Sequence, residues 1–357
     1  MQLLLIVDLL RVKIEFVSIE QPLQEERLGV KKRVVSRLDF YAGIWHNFSY
    51  SKSDMLLARD EMCIVARNTN RDAPHSNLDV VQLLRQDDLQ KCHSINPYCA
   101  DALEFFNTGI SVEYILVLFG DKSADVHMLP YVTKARKALS RQGVLWPLNV
   151  DRHFGLMRTV KQEDTPWERK KNKLIWRGAD TGYAGQRKKL IEKVFSLDTA
   201  EIDMAFGPVL LNAESRKFSR EWLTPSQLME NKYLLSLDGN DVASGLKWML
   251  YSNSVVFMPE TQFETWGMES ALLPYIHYIP LHSNLSNLAD QLKWARENND
   301  ACKSISLQAT SYMQQFYGYA IDRGRSSDVD LKRQLVSIYQ RAFSKIMENF
   351  TLDSCLA

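Results

Sequence analysis

The sequence predicts an α/β protein with two Rossmann-like domains that face each other across a cleft. At 357 residues the chain is longer than a typical single domain. Short apolar runs alternate with amphipathic segments in both halves, and this alternation is typical of α/β domains. The clearest unit covers residues 232–281, where an apolar run, a polar turn, a helical segment and two further apolar runs follow one another. That order indicates a βαβ unit.

The first half contains a candidate site residue at the end of an apolar run. Residues 3–7 are apolar but too few to span a membrane, and they predict a buried strand. Residues 77–92 have the spacing of an amphipathic helix, and residues 114–119 (YILVLF) predict a second buried strand. Asp121 follows that strand directly. A carboxylate just past the carboxyl end of a strand lies where α/β folds place their chemistry.

The second half shows a regular alternation of strands and helices after a charged stretch. Residues 161–173 are charged and contain Pro166, which suits a linker or a solvated segment. We therefore predict a first domain at residues 1–160, a second at 161–325 and a C-terminal helix at 326–357 that packs back. The strands predicted in the second half cover residues 174–176, 202–206, 233–237, 254–258 and 277–281, and its helices cover 187–195, 242–252, 285–299 and 301–319.

Composition excludes several classes of function. The formal net charge of +1 gives no indication of a nucleic-acid partner. The five cysteines form no CxxC pair, which argues against structural zinc; Cys92 and Cys99 pair in an oxidising compartment or remain free thiols. No signal peptide or ER-retention tetrapeptide is evident, so a soluble cytoplasmic protein is favoured, with the ER or Golgi lumen as the alternative.

Two loops carry the residue types that bind phosphate. Residues 177–187 form a glycine-bearing loop between two arginines, and residues 238–247 form a polar turn before a helix. Backbone amides, a helix N-terminus and guanidinium groups suit a diphosphate, although both segments are equally consistent with ordinary βα loops. The GxGxxG pattern is absent, which argues against a nicotinamide or flavin enzyme. Asp328 and Asp330 form an Asp-x-Asp triplet, which we interpret as dipole partners of the last helix and not as a metal site.

These residues together resemble the CAP10-type glycosyltransferases, glycosyltransferase family 90. That family includes Rumi-type protein O-glucosyltransferases, capsule xylosyltransferases and lipopolysaccharide-modifying enzymes. The matching motifs occur in the family's order over roughly residues 110–320. They are PWERK (166–170), IWRG (175–178), KYLL with DGN (232–235 and 238–240), SNSVVF (252–257), HYIP (277–280) and LSNL (285–288).

The resemblance implies a GT-B architecture and a UDP-sugar donor, with no metal or other cofactor required. It also implies that Asp121 is the catalytic base, although Lys122 and Ser123 depart from the residues that usually follow it. A second departure is Gly245, where many members carry an arginine; the helix lysine, Lys247, is present. The donor contacts would be Arg177, Gly178, Ala179, Arg187, Asp238, Gly239, Asn240, Asp241, Val242, Ala243, Ser244, Gly245 and Lys247.

The expected function is therefore an inverting transfer of glucose or xylose from a UDP-sugar to a hydroxyl group of a glycan or glycoprotein. In such a transfer Asp121 accepts the hydroxyl proton while Arg187 and Arg177 offset the charge of the leaving diphosphate. A relative that binds nucleotide sugar or glycan without turnover is the alternative, because of Gly245 and the residues after Asp121. A Rossmann-type oxidoreductase is a third possibility, against which the missing GxGxxG pattern argues.

Overall fold

The structure is a computed structural model that describes residues 36–76, 80–121, 128–182, 185–195, 201–208, 214–321, 328–348 and 350–356. The strand predicted at residues 3–7 and the family departure at Lys122 and Ser123 lie outside these residues. Among the described residues, none of the helices has the length and apolar character needed to cross a bilayer.

The first half is a small mixed sheet surrounded by helices. Its sheet has the strand order β1-β2-β3-β5, in which β1 is antiparallel to β2 and the other two pairs are parallel. The strands are β1 (Val81–Leu84), β2 (Ile115–Leu118), β3 (Val132–Thr133), β4 (Ala135–Lys137) and β5 (Val144–Leu145). The helices are α1 (Arg37–Ala42), α2 (Lys52–Asn68), α3 (Gln86–Cys92), α4 (Pro97–Leu103), α5 (Val150–His153) and α6 (Met157–Glu163).

The parallel strands of this sheet bring the candidate site residues to one edge. The side chains of β2 are all buried, as the apolar run predicted. Because β2, β3 and β5 run parallel, the segments that follow them emerge at one edge of the sheet. Asp121, Lys134 and Asn149 stand at or just after these strand ends.

The second half is a parallel sheet of five strands with the order β11-β9-β8-β6-β7. Numbered along the chain this order is 2-1-3-4-5, one of the common doubly wound arrangements, whose ligand crevice lies between the carboxyl ends of the first and third strands. Here those strands are β6 and β8. The five strands of this sheet are β6 (Lys171–Gly178), β7 (Ile202–Phe206), β8 (Asn231–Leu235), β9 (Val255–Pro259) and β11 (Ile279–Leu281), and a further strand, β10 (Phe263–Thr265), lies outside it. The helices are α7 (Gln186–Phe195), α8 (Pro225–Met229), α9 (Leu246–Tyr251), α10 (Leu288–Glu297) and α11 (Asn299–Ile321).

Both faces of this second sheet are buried, which explains why its strands are nearly continuous apolar runs. Side chains alternate along β6, so Leu174 and Trp176 enter one hydrophobic core while Ile175 enters another. The core that contains Ile175 continues into the first half of the chain. The two halves are therefore packed on a shared apolar core.

A two-stranded antiparallel ribbon also connects the halves. In it β4 of the first half pairs with β10 of the second, with Arg136 opposite Glu264. Their side chains form a buried ion pair with a separation of 3.2 Å, and Arg136 also donates to the carbonyl oxygens of Phe40, Tyr41 and Gly143. Arg136 thus joins Glu264 of the second half to three backbone carbonyl groups of the first half.

The chain ends with helices α12 (Val329–Met347) and α13 (Asp353–Leu356), which return to the first half. The buried Tyr339 hydroxyl accepts a hydrogen bond from the Leu116 amide of β2 and donates one to the Tyr114 carbonyl. At the start of α12, Asp328 pairs with Arg37 at 2.7 Å. Helix α12 therefore supports the strand β2, which leads to Asp121.

Three predicted elements differ from the structure. The amphipathic helix predicted at residues 77–92 is wrong over its first part: Val81–Leu84 form β1, whose four side chains are all buried against the core, and of the residues described in this range only Gln86–Cys92 are helical.

The stretch at residues 161–173 is solvated along most of its charged side chains, but it is not a free linker, because Trp167 is buried and Lys170 pairs with the buried Asp164. The helix predicted at residues 242–252 begins only at Leu246, because residues 241–244 continue the turn that follows β8.

Two disulfide bonds cross-link the first half. Cys92 pairs with Cys99, one of the two alternatives that the sequence left open. The second bond joins Cys63 of α2 to Cys355 of α13, residues that are 292 positions apart. This long-range bond attaches the end of the chain to the first half.

We expect replacement of Cys63 and Cys355 by serine to lower the free energy of unfolding by about 2–4 kcal/mol. The loop-entropy model attributes most of this loss to the longer loop of the unfolded chain, and 292 positions make that loop very long. The matched control replaces Cys92 and Cys99, which are 7 positions apart and should cost less. Equal losses in urea denaturation of the two double variants would contradict the expectation.

Candidate active site

The first-half side of the site is built on the carboxyl ends of β2 and β3. Asp121 follows β2, and its carboxylate forms an ion pair with the ammonium group of Lys134, which directly follows β3. The ring of Tyr98 lies 5.8 Å from the same ammonium group. Tyr98 is held in α4 next to Cys99, so the Cys92–Cys99 disulfide fixes the backbone beside it.

Lys134 also reaches the second half of the chain. Its ammonium nitrogen lies 2.9 Å from a carboxylate oxygen of Asp241, in the turn after β8. The lysine is thus shared by two carboxylates, one from each half. Sequence reasoning missed Lys134, since it follows a strand of only two residues that no apolar pattern reveals.

The ionisation states of Asp121, Lys134 and Asp241 depend on one another. Burial alone raises the pKa of Asp121, but Lys134 outweighs burial and, with Arg152, lowers that pKa below its usual value. For Asp241 burial prevails over Lys134, and the pKa rises to about 6. Burial opposes the charge of Lys134, yet Asp241, Tyr98 and Asp121 together raise its pKa. Asp121 is therefore ionised at neutral pH.

The second-half side of the site is the crevice between the carboxyl ends of β6 and β8. Arg187, at the start of α7, holds the two loops of this crevice together with four hydrogen bonds. Its guanidinium donates to the Leu237 and Asp238 carbonyls of one loop and to the Ala179 carbonyl and Thr181 hydroxyl of the other. Burial lowers its pKa to about 10. Arg187 thus positions both predicted donor-binding loops.

The two loops also touch each other directly. The amide of Gly182 donates to the Asn240 side chain at 3.1 Å. Gly182 has a φ of +118° and lies close to Gly239, whose own Cβ would meet Arg187 and Thr181. A side chain at Gly239 would press on Arg187 and Thr181, whereas at Gly182 the positive φ is what disfavours a side chain.

The turn after β8 contains the remaining predicted donor residues. The Asp238 carboxylate accepts from the Thr261 hydroxyl and the Gln262 amide, and burial raises its pKa. Val242 is buried, whereas Ala243, Ser244 and Gly245 are partly exposed. A Cβ at Gly245 would lie 3.0 Å from the end of the flexible Met249 side chain. The position therefore accepts a larger residue only if Met249 moves.

Two predicted cations lie outside this loop contact and are paired within the protein. Arg177 forms an ion pair with Asp203 of β7 at 2.8 Å. Lys247, in α9, is almost fully buried and lies 2.7 Å from Glu269. The structure thus brings Gly178, Ala179, Arg187 and residues 238–241 together at one crevice, while Arg177 faces the neighbouring strand. The roles of these residues in donor binding stay predictions.

A buried histidine stands behind the group of charges. Both ring nitrogens of His153 are buried and have no hydrogen-bond partner among the described residues. Burial lowers its pKa well below the usual value, and the nearby Lys134, Lys247 and Arg152 lower it further. The imidazole is therefore neutral at pH 7. Its position next to three cations disfavours protonation strongly.

We expect His153 to make the protein less stable as the pH falls below about 6.5, the pKa of an unfolded histidine. The unfolded chain then binds a proton that the folded protein refuses, and the slope is at most about 1.4 kcal/mol per pH unit. His153→Gln should reduce this slope between pH 6.5 and 5 in denaturation experiments. The matched control is His93→Gln, at an exposed ring. Identical slopes for wild type and His153→Gln would refute the assignment.

Metal ligands are not grouped at this site. Within the described ranges, no cluster of three or more His, Cys, Asp or Glu side chains is arranged to hold a metal ion. Asp330 of the Asp-x-Asp triplet pairs with Arg333, and Asp328 pairs with Arg37.

Comparisons with known proteins identify the family. Residues 144–319 match the model described as glycosyl transferase family 90. This region includes the whole second sheet and the crevice between β6 and β8. It also includes the end of the first half, from β5 onward, where His153 lies.

Three relatives are similar to parts of the chain. O-glucosyltransferase LpsA of Dichelobacter nodosus is 30% identical over 200 residues, which are 56% of this chain and 59% of LpsA. Protein O-glucosyltransferase 2 of Danio rerio is 30% identical over 173 residues, 44% of this chain and 31% of that protein. An uncharacterised protein, 179R of Invertebrate iridescent virus 6, is 26% identical over 194 residues, 43% of this chain and 16% of that protein.

The chain thus spans about three fifths of LpsA and about a third of the zebrafish protein. The resemblance inferred from the motifs between residues 166 and 288 is confirmed by these matches. Residues 144–319 of the chain are therefore similar to glycosyltransferase family 90.

Proposed function

We propose that the chain is an inverting glycosyltransferase with a GT-B-like arrangement of its two halves. It transfers a sugar from a UDP-sugar to a hydroxyl group of a glycan or glycoprotein. Similarity to this family and the α/β architecture support a glycosyltransferase. LpsA and the zebrafish relative are named as O-glucosyltransferases, which favours glucose over xylose as the transferred sugar.

The single observation that carries the proposal is the position of Asp121. Its carboxylate stands at the carboxyl end of β2 and is linked through Lys134 to the turn that follows β8. That turn forms one wall of the crevice where sheets of this order hold nucleotides. A base from one half and a donor site from the other therefore meet at one place.

The proposed reaction uses Asp121 as the base. The acceptor hydroxyl oxygen attacks the anomeric carbon from the side opposite the UDP, and its proton passes to the Asp121 carboxylate. The bond between the anomeric carbon and the diphosphate oxygen breaks, and its electron pair leaves with UDP. Asp121 is 28% exposed, so an acceptor hydroxyl can reach it.

The donor would lie against the loops after β6 and β8. Backbone amides at the start of α7, a helix of ten residues, supply donors for the diphosphate. Arg187 holds these loops in place, while Arg177 and Lys247 lie outside the loop contact as ion pairs with Asp203 and Glu269. No metal or other cofactor is required in this proposal.

The alternative is a relative that binds a nucleotide sugar or glycan without turnover. One observation favours it: Arg177, Arg187 and Lys247 are all engaged by protein partners. At the position of Gly245, many family members carry an arginine, which supplies a further cation. Leaving-group stabilisation would then be weaker than in those members.

The two disulfides bear on the compartment. Bonds of this kind persist in oxidising surroundings and are rare in the cytosol. They therefore support a lumenal location such as the ER or Golgi over the cytoplasmic one favoured by the sequence.

A donor screen tests the proposal. Purified protein with EDTA is incubated with UDP-glucose, UDP-xylose, UDP-galactose or UDP-N-acetylglucosamine, and released UDP is measured. Release from one donor supports the transferase and names the sugar. A thermal shift with UDP but no release from any donor, with glycan acceptors present, supports the binding-only alternative. If UDP causes no thermal shift, the assignment of the crevice is wrong.

A further inference from the structure

We propose that Lys134 is a positioning residue that joins Asp121 to Asp241, so that its ammonium group keeps a carboxylate partner when Asp121 takes up a proton. This inference rests on the proposed function and adds two residues to it. Neither residue has to touch the acceptor.

The geometry assigns different tasks to the two carboxylates. The side chain of Asp121 is 28% exposed, whereas those of Asp241 and Lys134 are 8% and 4% exposed. Only Asp121 is open to an acceptor. Asp241 lies 2.9 Å from the lysine nitrogen on the inner side and is shielded from solvent.

A buried ammonium group needs a partner at every stage of a reaction. Breaking a buried ion pair by removing one partner is strongly unfavourable, because the other charge is left uncompensated. If Lys134 faced Asp121 alone, protonation of Asp121 would leave the lysine in that state. Asp241 prevents this, since one of the two carboxylates remains ionised beside the lysine whichever of them holds the single proton.

The same arrangement sets the basicity of Asp121. Lys134 and Arg152 favour its ionised form, and the Tyr98 hydroxyl is hydrogen-bonded to it. Asp241 acts in the opposite sense, because two like charges disfavour each other's ionisation. His153 and Lys247 face the group from behind, the first neutral and the second paired with Glu269. The net effect of these groups is that Asp121 is held in its ionised form.

Replacing Lys134 and replacing Asp241 should therefore shift the pKa of Asp121 in opposite directions. Lys134→Met removes a favourable positive charge, so the pKa of the Asp121 carboxyl should rise. Asp241→Asn removes a like charge, so that pKa should fall. A side chain that only filled space would cause neither pattern.

The first measurement needs no substrate. The full-length protein is labelled with ¹³C at aspartate carboxyl carbons and titrated by NMR, with Asp121→Asn used to assign the signal. We expect opposite shifts of the Asp121 pKa in Lys134→Met and Asp241→Asn. If neither variant shifts the pKa of Asp121, although thermal unfolding shows that both variants are folded, the proposal is overturned.

The second measurement is turnover, read as released UDP over a range of pH. Lys134→Met should lower kcat about 10- to 100-fold, with donor KM little changed and the acid limb moved to higher pH. The matched control is Lys170→Met, which breaks the buried Lys170–Asp164 pair away from the site. A kcat and acid limb like wild type in Lys134→Met would also overturn the proposal.

Failure of the proposed function is distinguishable from failure of this inference. If the wild-type protein releases UDP from none of the donors while the NMR shifts are opposite, the reaction assignment is wrong and the lysine bridge stands. If the wild type turns over and the NMR shifts are absent, the bridge is wrong and the reaction stands.

Discussion

Replacing Asp121 by asparagine is expected to lower the rate of sugar transfer about 10²- to 10⁴-fold, the usual contribution of a general base. The amide has nearly the size of the carboxylate and still accepts a hydrogen bond from Lys134, so the fold and the donor crevice should remain. It cannot take the proton of the acceptor hydroxyl. The measurement is released UDP under saturating donor, together with the thermal shift caused by UDP.

The matched control for this variant is Asp330→Asn. Asp330 is an aspartate on the exposed face at the start of α12, where its side chain is 83% exposed and pairs with Arg333. Its replacement should leave turnover unchanged. If Asp121→Asn turned over donor as fast as the wild type, Asp121 would not be the base. A parallel loss of the UDP thermal shift would instead indicate a disturbed donor site.

Replacing Arg136 by methionine is expected to destabilise the protein by about 3–5 kcal/mol, as breaking a buried ion pair usually does. Methionine fills much of the space, but it leaves Glu264 buried without its cation and the carbonyls of Phe40, Tyr41 and Gly143 without their donor. The free energy of unfolding is measured by urea denaturation at pH 7.

The control for that loss is Lys171→Met, which breaks an ion pair with Glu230 at the surface. Exposed pairs of this kind contribute little, so the variant should unfold like the wild type. If both substitutions changed stability equally, the ribbon of β4 and β10 would not be an energetically important junction. The Arg136→Met variant should also show a lower apparent affinity for UDP, because the two halves are then held together less firmly.

The sequence was sufficient for the elements with strong local patterns. The apolar runs at residues 114–119 and 233–237 predicted β2 and β8, since buried parallel strands are almost entirely apolar. The position of Asp121 followed from the end of such a run. The crevice followed from the glycines and arginines that come after two strands of one sheet.

The remaining features depend on contacts between distant parts of the chain. Lys134 is one of many lysines until β3 places it between two carboxylates from opposite halves. The use of Arg187 to join two loops is equally invisible, because an arginine beside glycines predicts phosphate binding and backbone binding alike. The Cys63–Cys355 bond spans 292 positions, and no local pattern indicates a pairing of that range.

That long-range disulfide makes most of the chain a covalent ring. Every peptide bond between Cys63 and Cys355 lies inside the ring, including those of the whole second half. A protease that cuts one loop there opens the ring without releasing a fragment. Cleaved protein would migrate as a single species on a non-reducing gel and as two pieces after reduction. In an environment rich in proteases, the molecule would keep both halves of its site together after a first cut.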